Sequence, residues 1–367
     1  MVDNNLVRFV DQLETWVSEG QLPSARLLMS EGGRVLCDRA IGCPERALFR
    51  LASSSKLFVS VAALRLVDQG LLSLDQSVST VLPEHAEEMT IMDLLRHSCG
   101  YGYGDTEPYG DALRSAGLMS QDTFGMNSWT HDLTLRDWAR ALADVPHEDP
   151  PGTVTRYGLG HDLLGAVMES TCSKSLDQIL AEEVLEPLDL NNTFFIVPPD
   201  RQADLTDFHN YSDGSLKPVE NSAESPFLTR PKAFSGGGGW DMLGNGGLVS
   251  SAGDFHRLLQ TILAEGTFNG EQVLSRELSM LLLQSQTSEL KISEIQPGCG
   301  YSLGVACVDD PKGYQGLAPC GTLWWGGSTN TFYFYRPDQG LCGVFLTNTF
   351  PFGHMNAIYR FLSLSNG

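Results

Sequence analysis

Ser53 and Lys56 stand three residues apart in the run Phe49-Arg50-Leu51-Ala52-Ser53-Ser54-Ser55-Lys56, which leads directly into an apolar stretch from Leu57 to Val67. If that stretch is a helix, Ser53 falls at its first turn and Lys56 lies on the same face. The pairing has a chemical use. A serine hydroxyl is a weak nucleophile until a base takes its proton, and a desolvated lysine can take it or stabilise a partner that does. The helix N-terminus would also aim free N–H groups at an oxyanion forming beside the serine. By spacing alone, however, a simple helix cap is the better reading of Ser53. Ser-x-x-Lys is a weak pattern, and Ser288 with Lys291 repeats it in polar sequence, Gln286-Thr287-Ser288-Glu289, with no buried helix behind it. That copy is taken as chance. A Ser-His-Asp arrangement using His161 and Asp162 is set aside, on the reading that the chain has no Gly-x-Ser-x-Gly elbow to supply its nucleophile.

Several elements must position such residues. The stretch Leu57 to Val67 is apolar on nearly every side, which predicts a helix in the middle of the molecule, with Gly70 as its stop. Leu6, Phe9, Val10, Leu13 and Val17 recur at helical spacing within Asn5 to Glu19. Two short apolar runs, Ala25 to Met29 and Arg34 to Asp38, flank Glu31-Gly32-Gly33 and predict a β-hairpin. From about Leu74 to Pro231 the pattern is helix and loop, with helices expected over Ile91 to Arg96, Leu135 to Ala143, Asp162 to Glu169 and Leu176 to Glu186. The loop Gly100 to Phe124 is long enough to wall a site. Ser235 to Gly247 is glycine-rich, which suits tight turns or close backbone approach, and no Lys-Ser or Lys-Thr pair follows it as a phosphate loop would require. A helix over Ala252 to Ala264, strands over Tyr301 to Val308, Thr331 to Tyr335 and Leu341 to Asn348, and a last helix over Met355 to Leu364 complete the chain. The order predicts an α+β fold, one mainly antiparallel sheet built from both ends of the chain and flanked by helices, plus a helical domain. The expected division is 1–75 with 232–367 as the sheet domain and 76–231 as the mainly helical one, with a site in the cleft between them.

Composition narrows the partners. The 367 residues are 42% hydrophobic and 19% charged, the profile of a folded globular protein. A net charge of −21, from 45 acidic against 24 basic residues, repels phosphate backbones and anionic headgroups, so no nucleic-acid or membrane partner is expected. No stretch is apolar for long enough to span a bilayer, and the first residues lack the basic head and apolar run of a secretory signal, so the expected location is the cytoplasm. Cysteines 37, 43, 99, 172, 299, 307, 320 and 342 lack the paired short spacings of a zinc site and are read as free thiols; no metal and no cofactor is expected.

The residues around Ser53 resemble the serine β-lactamase and penicillin-binding-protein superfamily, in its class C-like branch with the family VIII carboxylesterases and transferases such as the lovastatin acyltransferase. The resemblance covers nearly the whole chain. Gly20-Gln21-Leu22-Pro23-Ser24-Ala25 and the hairpin resemble that family's entry into its sheet, and Leu71-Leu72-Ser73-Leu74-Asp75 its Leu-Asp stretch. Thr90-Ile91-Met92-Asp93-Leu94-Leu95-Arg96-His97-Ser98-Cys99-Gly100 is similar to its Leu-Leu-x-His-x-Ser-Gly run, with Cys99 where serine is commoner. Arg156-Tyr157-Gly158-Leu159 resembles its Tyr-Ser-Asn motif, and more closely the Tyr-Ser-Leu form of the esterases. A phenol held beside an ammonium gives up its proton more readily, which makes Tyr157 a proton shuttle between Ser53 and a leaving group. Trp324-Trp325-Gly326-Gly327-Ser328 resembles the strand that carries Lys-Thr-Gly in β-lactamases and Trp-Gly-Gly in the esterases.

What the resemblance implies is a β-lactamase/transpeptidase-like fold, a catalytic set of Ser53, Lys56 and Tyr157, and an oxyanion hole from the Ser53 and Ser328 N–H groups. Trp325, Gly326 and Gly327 would bind substrate by that resemblance. Apart from it, Tyr101, Tyr103, Trp129, Trp240 and Phe352 fall in or beside the loops expected to rim the cleft, and Tyr101, Trp129 and Trp240 are the aromatic residues expected to line it for substrate. The expected activity is hydrolysis of neutral carboxylic esters through a Ser53 acyl-enzyme, with a small-molecule ester or acyl donor as partner. Transfer of the acyl group to an alcohol or amine is the alternative, followed by D-alanyl-D-alanine carboxypeptidase or β-lactamase action and by an inactive binding protein of the same fold.

Overall fold

Six of the seven residues of strand β1 (Ala25–Glu31) are buried, without the in–out alternation of a half-exposed strand. Such a strand must be covered on both faces. In the computed structural model, which describes residues 4–85, 88–104, 107–119, 133–219, 247–292 and 297–366, β1 lies inside a seven-stranded sheet. The other strands are β2 (Arg34–Ile41), β3 (Cys299–Tyr301), β4 (Ala306–Val308), β5 (Leu323–Gly327), β6 (Thr331–Arg336) and β7 (Leu341–Leu346). Their order is β3-β4-β5-β6-β7-β1-β2, and every pairing is antiparallel. The β7–β1 pairing joins the two ends of the chain, as the sequence order requires.

Helices cover both faces. On one, helix α1 (Asn4–Ser18) sets Leu6, Phe9, Leu13 and Trp16 against Leu27, Met29, Phe334 and Phe345. On the other lies α2 (Lys56–Asp68), buried at every position from Lys56 to Leu64, so the expectation of a central helix holds. It shares its core with Leu28, Tyr333 and Val344 of the sheet, with α3 (Ile91–Leu95), α4 (Leu135–Leu142) and α5 (Gly160–Cys172), and with α6 (Ala252–Leu263), which crosses β1 and β7. Helix α7 (Ala357–Ser363) closes the α1 side through Ile358 and Phe361.

The fold differs from the expectation at several places, among them a short helix, Tyr109–Ser115, inside the stretch expected to be loop, and an α-helix from Leu176 that ends at Leu180. Tyr301 to Val308 is two antiparallel strands, because the chain reverses where Ser302 N–H donates to the Val305 carbonyl at 2.8 Å. The middle region also carries a hairpin, Phe208–Ser212 with Ser215–Val219, turned at Asp213 and Gly214 with φ of +53° and +77°. Finally, Ser53 lies in a 3₁₀ turn, Ala52–Ser55, that precedes α2 instead of in the first turn of the helix.

Candidate active site

The backbone around Ser53 is held from two directions. Phe49–Arg50 pairs with Val249–Ser250, and the Leu51 N–H donates to the Leu248 carbonyl at 2.8 Å. From the sheet, the Thr331 hydroxyl donates to the Leu51 carbonyl at 2.8 Å and the Thr329 hydroxyl to the Arg50 carbonyl at 2.7 Å. Between these anchors Ala52 takes a left-handed φ of +53°, a conformation that costs a residue with a Cβ and persists only where surroundings enforce it.

The three serines of the turn have different partners. Ser54 Oγ lies 3.3 Å from the Thr331 carbonyl, and Ser55 Oγ accepts the Leu248 N–H at 2.8 Å, so both tie the turn to its neighbours. Ser53 Oγ instead accepts from the Lys56 ammonium at 3.4 Å. The same ammonium donates to the Tyr103 hydroxyl at 3.0 Å and stands 4.8 Å from the centre of the Tyr157 ring.

Tyr157 reaches this point because the loop before α5 is pinned to residues 97–101. Arg156 N–H donates to the His97 carbonyl at 2.7 Å and Leu159 N–H to the Tyr101 carbonyl at 3.0 Å, while a Cβ on Gly158 would fall 2.1 Å from that Tyr101 oxygen. The Tyr157 ring is boxed by Trp325 at 4.8 Å, His97 at 4.9 Å and Tyr103 at 5.3 Å, and its buried hydroxyl makes no hydrogen bond of normal geometry. Burial, with the Tyr157 and Asp162 charges next, pushes the Tyr103 phenol well above its usual range, so Tyr103 is a neutral partner for Lys56. Burial also pushes His97 and His161 well below the usual imidazole range, aided by the Lys56 charge. Neither imidazole is a second cation in the site.

The structure thus brings Ser53, Lys56, Tyr157 and Trp325 together. Ser328 follows β5 directly, next to the Thr329 that holds Arg50. Gly327 has a reason the sequence reading did not supply: a Cβ there would lie 2.1 Å from the Leu51 carbonyl and 2.8 Å from the Ala52 Cβ, so β5 can seat on the Ser53 turn only without a side chain. A Cβ on Gly326 would sit 2.4 Å from the Phe332 ring. Both glycines serve protein packing, whatever they also do for a substrate.

Other expected positions fall elsewhere. Tyr101 is buried, stacked on His147 with ring centres 4.1 Å apart and its hydroxyl 3.4 Å from His85. Tyr103, expected only at the rim, takes the inner place beside Lys56. Phe352 is half exposed against Phe332 at 5.6 Å. Trp129, Trp240 and the glycine-rich stretch as far as residue 246 lie outside the described residues. One exclusion needs correcting: Gly300-Tyr301-Ser302-Leu303-Gly304 does match Gly-x-Ser-x-Gly. It forms the β3–β4 turn, not a strand-to-helix elbow, with Ser302 buried and its hydroxyl donating to the Leu281 carbonyl at 3.0 Å. His161 meets Ser60 at 3.0 Å and belongs to no elbow. Among the described residues, no group of three or more His, Cys, Asp or Glu side chains is placed to hold a metal.

In comparison with known proteins, the Beta-lactamase family matches residues 2–364. The chain belongs to that family. Esterase EstB of Burkholderia gladioli is 30% identical over 365 residues, covering 90% of this chain and 87% of its own. Lovastatin esterase of Penicillium rubens is 26% identical over 328 residues, covering 80% of this chain and 77% of its own. Among solved structures, EstCE1, described as a hydrolase with promiscuous acyltransferase activity, superposes with a TM-score of 0.82 at 26% identity, covering 99% of each chain. The α+β architecture is therefore that of the beta-lactamase family, and the chain is an enzyme of its serine hydrolase and acyltransferase branch.

Proposed function

We propose that this chain hydrolyses neutral carboxylic esters through an acyl-enzyme on Ser53. The observation that carries the reading is the Lys56 ammonium, 3.4 Å from Ser53 Oγ and 3.0 Å from the Tyr103 hydroxyl, while Ser54 and Ser55 are spent on the backbone. Ser53 Oγ attacks the ester carbonyl as its proton passes to the Lys56 and Tyr157 pair. The Ser53 and Ser328 N–H groups hold the oxyanion, and the same pair returns the proton to the departing alkoxide. Water then attacks the Ser53 ester by the same steps and releases the acid. The site is proposed to lie in a cleft between 1–75 with 232–367 and 76–231. Acyl transfer to an alcohol is a second outcome of the same acyl-enzyme, supported by the activity described for EstCE1. Eight free cysteines support a reducing, cytoplasmic location.

The preference for uncharged substrates rests on Trp325-Gly326-Gly327, which offer neither cation nor hydroxyl to a substrate carboxylate. A lost charge-assisted contact costs about 1.5–3 kcal/mol, roughly tenfold to a hundredfold in selectivity. In one buffer, kcat/KM for p-nitrophenyl butyrate should exceed that for nitrocefin at least tenfold; parity would return the chain to the β-lactamases.

A further inference from the structure

Lys56 and Tyr157 rest on a second pair of side chains that the proposed chemistry does not use. His161, from α5, meets the Ser60 hydroxyl at 3.0 Å, and Ser60 lies one turn beyond Lys56 on α2. The His97 ring stands 4.7 Å from His161, tilted by 33°, and 4.9 Å from Tyr157, nearly edge-on at 62°. Tyr301 of β3 closes the remaining side at 5.4 Å. The titratable groups facing His97 are therefore Lys56, Tyr157, His161 and Tyr301.

His97 is fully buried, and neither of its ring nitrogens has a hydrogen-bond partner. A phenyl ring would fill similar space without leaving polar atoms unpaired, and unpaired buried polar atoms are costly. Its backbone is also held in the left-handed region, at φ +58°, while its carbonyl takes the N–H of Arg156, the residue before Tyr157. Ring and backbone of one residue thus both bear on Tyr157. Resting on the reading of Ser53, Lys56 and Tyr157 given above, we propose that His97 is a positioning residue for Tyr157, whose imidazole fixes the phenol over Lys56 without adding a second cation. The imidazole can do this only while uncharged, because a proton on it would place like charge beside Lys56.

The test compares His97→Phe with wild type on p-nitrophenyl butyrate at neutral pH. His97→Phe should lower kcat about tenfold to a hundredfold, as small misplacements of reacting groups do, with KM within about twofold. His97→Gln, which keeps a donor and an acceptor, should recover most of kcat. A purely structural residue would shift the melting temperature and leave kcat of the folded enzyme in place. A kcat matching wild type in His97→Phe overturns the proposal, and His97→Met carries the same comparison if the phenylalanine variant does not fold. Tyr157→Phe is measured alongside. Inactive Tyr157→Phe beside normal His97→Phe refutes only the role of His97, whereas normal turnover in Tyr157→Phe refutes the reading of the site and this inference with it.

Discussion

Ser53, Ser54 and Ser55 share a side chain and differ only in what surrounds it. Two of them anchor backbone, and the third faces an ammonium. The spacing to Lys56 singled out Ser53 in the sequence, but what Ser54 and Ser55 do was not legible there, because it depends on Leu248 and Thr331, both distant in the chain. Gly327 offers the sharpest single-residue consequence. Its missing Cβ would meet backbone, the Leu51 carbonyl at 2.1 Å, so a methyl group cannot be accommodated by turning a side chain. Gly327→Ala should cost roughly 2–3 kcal/mol of stability, at the upper end of overpacking penalties, and also lower ester turnover because the Ser53 turn must move. Urea unfolding and a p-nitrophenyl ester assay on one preparation check this. Unchanged values for both would mean that β5 does not seat on the turn.

At the scale of elements, the sequence was readable where periodicity was strong. The spacing of Leu6, Phe9 and Leu13 and the largely apolar run of α2 both led to the observed helices. Short strands were harder to read. Cys299–Tyr301 and Ala306–Val308 have three residues each, too few to show a period, and Gly300-Tyr301-Ser302-Leu303-Gly304 hides a chain reversal among strand-forming residues. The Phe208–Val219 hairpin carried a usable signal, Asp213-Gly214 between two runs, that a helix-and-loop reading passed over. Tyr101 and Tyr103 show another limit, since spacing in a loop says nothing about which ring reaches the lysine; Tyr103 meets Lys56, whereas Tyr101 stacks on His147. His97 was visible within the Leu-Leu-x-His-x-Ser-Gly resemblance, but only the packing against α5 shows what lies beside it.

For the whole molecule, buried imidazoles set the response to acid. Burial lowers the pKa of His85, His97, His161 and His256, the last to about 4. In the unfolded chain these groups protonate near pH 6.5, so below that pH the unfolded state binds more protons than the folded one, and stability falls as pH falls. Each contributes a slope of about 1.4 kcal/mol per pH unit between its unfolded and folded values. Urea midpoints should therefore drop steadily from pH 6.5 towards 4, and His256→Gln should make the decline shallower. A midpoint unchanged down to pH 5 would contradict this picture. Such a protein should be assayed at neutral pH or above, where loss of activity reports chemistry and not unfolding.

The proposed catalysis requires one covalent bond, between the acyl group and Ser53 Oγ. Mixed with a fluorophosphonate at neutral pH and digested, the protein should carry a single adduct, on Ser53, and Lys56→Met should label far more slowly while remaining folded. An adduct on Ser54, Ser55, Ser288 or Ser302, or rapid ester turnover by Ser53→Ala, would contradict the assignment of the nucleophile and the acyl-enzyme mechanism built on it.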